Sequence, residues 1–403
     1  MINSVLARYM GAAAIIVSAT ILAGCGALSP QDNTGNYLVS YQSAIVPTPV
    51  ISSAVDLAFP FLELVAGQAM TPITFYNTAS NFPIAFTCSY GLSSSQTLTT
   101  DCKELAGATF SEGTLSYTPD ATTAWGTYKF QITGTNYSGS GSTTFFANIR
   151  QPYPTDNLQL DFDANFAGLT GPATSGATIW RNLAVNSSYG INLSTNLRDG
   201  SLKSTSGTWA FTGNYLWAGT GDKSNPYSLG FVGGSSPANF VQVTNFTTTN
   251  SQLMLSLWIS PNAAAGGSVI LSTIGTSGAG FQLIHKLTDP TKLQFIIGPI
   301  NSAPANTPCT TADSVSLAGD QWYHIGIVYD GTTASLYQNG DFECSITAPN
   351  SLSYTLTPII IGADSFGSNA WGGNLADLKI YQSGSNTDLL TIFNATKPRF
   401  PNF

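Results

Sequence analysis

The chain has 403 residues, enough for two or three domains of ordinary size. Only 8 % of them are charged and the formal net charge is −8, so Ser, Thr, Asn and Gly carry most of the surface polarity. The 13 Lys and Arg side chains are scattered singly, which argues against a phosphate-tracking stripe for nucleic acid and against a polybasic membrane patch.

The chain opens with Arg8 and an apolar stretch from Met10 to Leu22 (MGAAAIIVSATIL), then Leu22-Ala23-Gly24-Cys25. The stretch has the length of a signal peptide, and small residues close it as a cleavage site requires. With Cys25 at its end, it resembles the lipobox of bacterial lipoproteins. That resemblance implies a signal peptide over 1–24, cleavage before Cys25 and lipidation of its thiol, with acyl chains that tie the protein to a membrane. Residues 25–53 mix Ser, Pro, Asn and Gln with single hydrophobes, and Pro47 and Pro49 favour an extended form, so this segment is expected to be a flexible tether.

Residues 54–150 are expected to form a small β-sandwich of short alternating strands: Ile73–Phe75, Ile84–Cys88, Thr114–Tyr117, Gly126–Thr135 and Thr143–Ile149. In GTYKFQITGTN, Tyr128, Phe130 and Ile132 share one face while Lys129, Gln131 and Thr133 share the other, the period of a half-buried strand. The run from Gly113-Thr114-Leu115 through Pro119 into the Gly126 strand is similar to bacterial immunoglobulin-like repeats, which implies a spacer. Besides Cys25, four cysteines remain. In an exported chain they are expected to form two disulfides, with local pairing of Cys88 with Cys102 and Cys309 with Cys344 preferred among three connectivities. Neither pair has C-x-x-C spacing and neither His adjoins a cysteine in sequence, which weighs against a metal site.

Gln151-Pro152-Tyr153-Pro154 marks a boundary, because two prolines in four residues stop strand pairing and stiffen the junction. Residues 156–400 are then dense in strand candidates: Met254–Ile259, Lys292–Ile297, His324–Tyr329, Ala334–Tyr337, Pro358–Ile361 and Asp377–Tyr381. Asp330-Gly331 and Asn339-Gly340 tolerate positive φ and predict a three-stranded meander over Trp322–Ile346. Four ordered motifs carry a resemblance to the laminin G-like branch of the concanavalin A-like jelly rolls. They are Leu255-Ser256-Leu257-Trp258-Ile259, Trp322-Tyr323-His324 leading to Asp330-Gly331, Leu336-Tyr337-Gln338-Asn339-Gly340, and Ile361-Gly362 with the closing run from Trp371 to Tyr381. The fold expected is therefore all-β, a small immunoglobulin-like sandwich followed by a large jelly-roll sandwich.

Glycoside hydrolysis needs two carboxylates across the scissile bond. Of four Glu in the chain only Glu343 lies in the large domain, and no strand carries two Glu in register. Asp161 and Asp163 of LDFD share a face and are the nearest approach to an acid pair. The resemblance implies that His324 is a hydrogen-bonded framework residue, and His285 is expected at a strand position facing solvent or sheet. No G-x-S-x-G, H-E-x-x-H or P-loop occurs.

Relatives of the jelly-roll family often hold calcium in a rim loop, but the corresponding stretch here, Phe231 to Val241, lacks acids. No cofactor is therefore expected; if calcium binds, Asp364 and Asp377 are the expected donors. Sugar recognition calls for an aromatic platform with planar polar groups. The loop from Asp364 to Asn374 has that composition, so Asp364, Asn369, Trp371 and Asn374 are the expected ligand-binding residues, with core packing of Trp371 the alternative. Taken together, the expectation is a lipid-anchored bacterial envelope protein, at the outer membrane or cell surface. It would bind a glycan or another surface ligand in adhesion without catalysis. A divergent glycoside hydrolase and a structural envelope lipoprotein are the alternatives.

Overall fold

The fold is seen in a computed structural model. It describes residues 48–403 apart from 54–60, 78–82, 84, 93–97, 121, 122, 124, 168–172, 174–176, 185–197, 205–216, 234–238, 245, 247–251, 263–267, 275–278, 300–308, 311–316, 318, 320 and 348–357. The signal segment, Cys25 and most of the expected tether lie outside the described residues.

Among the described residues, nine strands build the first domain: β1 (Ile51–Ser53), β2 (Phe61–Val65), β3 (Ile73–Asn77), β4 (Ala85–Leu92), β5 (Thr100–Asp101), β6 (Ala108–Ser111), β7 (Thr114–Tyr117), β8 (Gly126–Asn136) and β9 (Gly139–Arg150). One sheet runs β1-β3-β7-β6 and the other β2-β9-β8-β4-β5. The inward residues foreseen from period-2 alternation, Phe130 and Ile132, meet Phe75, Leu115, Tyr117 and Phe145 in one core. Phe130 stacks on Phe145 with ring centroids 5.1 Å apart. Cys88 and Cys102 are joined in a disulfide, Cα atoms 5.4 Å apart. One expectation needs correction: Ile51–Ser53, assigned to the tether, pairs with β3 as an edge strand and buries Ile51. An apolar side chain placed beside an open sheet edge gains more from pairing than from solvation.

The second domain carries β10 (Leu158–Asp163), β11 (Ile179–Trp180), β12 (Gly200–Ser204), β13 (Trp217–Ala218), β14 (Ser228–Phe231), β15 (Asn239–Val243), β16 (Leu253–Pro261), β17 (Val269–Ser272), β18 (Ala279–Lys286), β19 (Asp289–Pro299), β20 (Cys309–Thr310), β21 (Tyr323–Tyr329), β22 (Thr333–Gln338), β23 (Asp341–Thr347), β24 (Ile359–Ile361) and β25 (Gly373–Tyr381). Two eight-stranded sheets face each other. The front sheet runs β13-β14-β25-β16-β21-β22-β23 with β10 also on β25; the back sheet runs β11-β12-β15-β24-β17-β18-β19-β20. Between them lie Leu255, Leu257, Ile325, Ile327, Leu378 and Ile380 from the front, and Val241, Leu271, Phe281, Leu283, Phe295 and Ile361 from the back. The expected meander is β21-β22-β23. Asn339 takes φ 55° and Gly340 φ 89° at its second turn, as a two-residue hairpin turn demands. Cys344 is disulfide-bonded; the side chain of Cys309 lies outside the described residues.

Among the described residues one α-helix, α1 (Asn386–Thr396), is present, and it follows the last strand. A reciprocal cap starts it: the Asp388 backbone N–H donates to Ser385 Oγ at 3.2 Å, and the Ser385 N–H donates to Asp388 Oδ2 at 2.9 Å. Leu389, Ile392, Phe393 and Thr396 form its buried stripe at helical spacing, and Pro398 prevents a further turn of regular helix. The helix lies on the outer face of the front sheet. There Gly326 leaves room for Leu389, since a Cβ at 326 would stand 2.3 Å from Leu389 Cδ2.

Candidate functional site

The rim loop between β24 and β25 is ordered by one carboxylate. Asp364 Oδ1 accepts the backbone N–H groups of Phe366 (2.9 Å) and Ser368 (2.8 Å), and Oδ2 accepts from Asn369 Nδ2 at 2.8 Å. Gly367 (φ 72°) and Asn369 (φ 51°) supply the left-handed turns that let the chain double back. Two of the expected ligand residues, Asp364 and Asn369, are thus brought together, and they hold the loop's shape. Asn374 stands apart, half-buried inside β25 between Gly230 and Ser260.

Trp371 requires a correction. Its side chain is 0 % exposed and cannot serve as a platform. The indole packs on Phe231, centroids 5.4 Å apart, and its Nε1–H donates to His285 Nε2 at 3.1 Å. His285 Nδ1 lies 2.7 Å from the Pro290 carbonyl, so Nδ1 carries the proton and Nε2 is the acceptor that the indole needs. Burial lowers the His285 pKa, which keeps that neutral tautomer in place. The aromatic this loop turns to solvent is Phe366, 70 % exposed. The sequence does not single it out, since Trp371 is the larger ring in the same loop and nothing local distinguishes the two directions.

Calcium does not fit the expected donors. The Asp364 oxygens are committed to the loop, and Asp377 belongs to a buried ion cluster on the outer face of the front sheet. Among the described residues, no group of three or more His, Cys, Asp and Glu side chains is placed to hold a metal ion.

That cluster follows from strand register. Asp161 of β10 lies opposite Lys379 of β25, and Asp163 opposite Asp377. On the other side of β25, Lys379 and Asp377 lie opposite Ser256 and Trp258 of β16. Alternation therefore puts Asp161, Asp163, Asp377, Lys379, Ser256 and Trp258 on one face. Lys379 Nζ reaches Asp377 Oδ1 at 2.6 Å and Asp161 Oδ1 at 3.1 Å. Arg399, just beyond α1, grips Asp163 through two bonds of 2.7 and 2.9 Å and touches Asp377 at 3.1 Å. Burial pushes the Asp377 carboxyl up to about 6 despite the cations beside it. Burial alone would lower the Lys379 pKa, but the carboxylates of Asp161, Asp377 and Asp163 hold it above the ordinary lysine range.

Beside the cluster, the Trp258 ring stacks on Phe400 at 3.9 Å between centroids, and its Nε1–H donates to Thr396 Oγ1 at 2.8 Å. His324 is fully buried; its Nε2 lies 2.8 Å from Ser256 Oγ. Burial, with the charge of Lys379, drops its pKa to about 3, so it stays neutral. The Ser256–His324 pair is thereby sealed under Phe393 and the helix, a framework contact as the sequence led us to expect.

The linker ties this cluster to the first domain. Tyr153 donates its hydroxyl to Asp161 Oδ2 at 2.6 Å, and Tyr381 donates to the Pro154 carbonyl at 2.7 Å. Trp125 of the first domain stacks on Tyr153, centroids 6.4 Å apart, and Arg399 sits 4.7 Å from the Trp125 ring centre.

Residues 232–387 match the family model Laminin_G_3, described as the Concanavalin A-like lectin/glucanases superfamily. Among solved structures, the binding domain of botulinum neurotoxin serotype D is similar at 14 % identity, with 60 % of this chain and 52 % of that chain covered and a TM-score of 0.39. The binding domain of Paraclostridial Mosquitocidal Protein 1 is similar at 15 % identity, with 60 % and 52 % covered and a TM-score of 0.40. The alignments thus span about half the length of those solved chains. No curated protein matches this sequence. The large domain is a concanavalin A-like, lectin-type jelly roll.

Proposed function

We propose that this chain is a lipid-anchored protein of a bacterial cell envelope, held through Cys25 at the outer membrane or cell surface. Its lectin-type domain binds a glycan or another surface ligand and performs no bond cleavage. The observation that carries the choice of binding over hydrolysis is the state of the acids. A family that includes both lectins and glucanases leaves both readings open. Here Asp161, Asp163 and Asp377, which share one sheet face, are each ion-paired with Lys379 or Arg399 and buried. A glycosidase needs its two carboxyl groups free on either side of a sugar.

The rim loop is the surface this reading assigns to the ligand, with Phe366 offering the apolar ring and the amide of Asn369 beside it. The test is a glycan array and cell-wall pull-down with the purified full chain and its Phe366→Ala variant. Binding that the variant loses supports the reading, and the absence of any glycan or surface-protein binding overturns it. Release of reducing ends from a bound polysaccharide would favour the hydrolase instead. Radiolabelled palmitate incorporation, lost in Cys25→Ser, tests the anchor.

A further inference from the structure

Where the two domains meet, the molecule holds a cleft of about 820 Å³. That volume lies within the roughly 300–1,000 Å³ typical of small-molecule sites, which recur at domain interfaces. Its lining includes Trp125 of the first domain, Pro152 of the linker, the Asp222-Lys223 turn, and Thr391 and Asn394 of α1.

Three features define what fits. First, the Trp125 indole N–H is buried without an acceptor, although the ring is held in position by Tyr153 and Arg399. A buried donor left unpaired is costly, so the cleft is short of a hydrogen-bond acceptor at that point. Second, the charges cancel. Asp222 and Lys223 are adjacent and opposite, Lys223 also donates to the Phe403 carbonyl, and the guanidinium of Arg399 is matched by Asp163 and Asp377. The cleft therefore offers no surplus charge to a phosphate or a carboxylate. Third, the helix wall is amide and hydroxyl. Thr391 gives its proton to the Thr387 carbonyl and so presents an acceptor. Asn394 Oδ1 accepts from Lys397, which leaves its amide group as the donor end.

We infer that this cleft binds a short uncharged oligosaccharide, whose hydroxyls accept from the Trp125 indole and exchange bonds with Thr391 and Asn394 while its apolar ring faces meet Pro152. This inference rests on the glycan-binding reading and gives it a second contact that spans both domains. A sugar seated here touches both domains at once and stiffens their joint.

The test screens the full chain on an array of neutral and anionic oligosaccharides, then titrates the best neutral binder calorimetrically. Three variants are compared: Trp125→Phe, which keeps the stacked ring and removes the N–H, the exposed pair Thr391→Val with Asn394→Ala, and Phe366→Ala. We expect Trp125→Phe to weaken binding about 3- to 10-fold, and the helix pair to weaken it by a similar factor, the size of one lost hydrogen bond. Unligated melting temperatures should stay unchanged for the helix pair. Affinities within about twofold of the native value in both cleft variants, or loss confined to Phe366→Ala, overturn the cleft while leaving glycan binding intact. A preference for anionic over neutral sugars overturns the ligand class. Binding to no oligosaccharide overturns the glycan reading and this inference with it.

Discussion

Replacing Arg399 with Met is the sharpest probe of how the large domain is held together. Three carboxylates, Asp161, Asp163 and Asp377, face two cations, Lys379 and Arg399, in a buried cluster. Arg399→Met keeps much of the side-chain volume but removes both bonds to Asp163 and the bond to Asp377. Stripping one partner from a buried pair costs about 3–5 kcal/mol, because the remaining charge stays out of water. For a domain of this size that is a fall in melting temperature of about 6–20 °C.

The loss should also depend on pH. Asp377 has a folded pKa of about 6 against an ordinary 3.8. Between those values the native state holds a proton that the unfolded chain has released, so Asp377's contribution to stability falls as pH rises through 6 and is flat above it. Arg399 is one of the cations restraining that upward shift, so its removal raises the pKa further. The variant's deficit should be largest at about pH 8 and smaller at about pH 5. Thermal melts followed by circular dichroism at the two pH values read both effects. A variant within about 1 °C of the native protein at the higher pH, or an equal deficit at both, would refute the reasoning.

Two further changes probe the same face. Gly326→Ala sets a Cβ 2.3 Å from Leu389 Cδ2 and should cost about 1–3 kcal/mol in urea unfolding, much of it restored by adding Leu389→Ala; an additive double variant would count against the contact. His324 has a folded pKa of about 3, below its ordinary 6.5. The unfolded chain therefore takes up the proton first, and stability falls by up to about 1.4 kcal/mol per pH unit below 6.5. His324→Gln should remove that slope, so native and variant urea midpoints that decline in parallel on acidification would contradict it.

Local chemistry was legible in the sequence. Alternation located β8, β16, β21 and β22, and Asp-Gly and Asn-Gly located the meander turns, because both depend on neighbours within a few residues. Cys88 and Cys102 are close enough for local pairing to be the natural choice. Long-range contacts were not legible. The direction of Trp371 is decided by His285, 86 residues away, and the fate of Asp163 by Arg399, 236 residues away. For the helix the signals conflict: Ser385-x-x-Asp388 and the Leu389, Ile392, Phe393 spacing favour one, but a short segment rich in Thr and Asn has little propensity to set against so many strands. Alternation puts Asp161 and Asp163 on one face, but only the register with β25 reveals that they are locked.

The place of β10 beside β25 has a consequence for assembly. β10 is the first strand of its domain to be synthesised, yet its pairing partner is the last. Until residues 373–381 emerge, β10 carries apolar side chains and unanswered backbone groups with nowhere to dock. Loop closure over so long an intervening chain makes the final step slow. A partly made or early-truncated large domain is thus a sticky, half-zipped object, and its yield should depend on what shields that waiting edge during biogenesis.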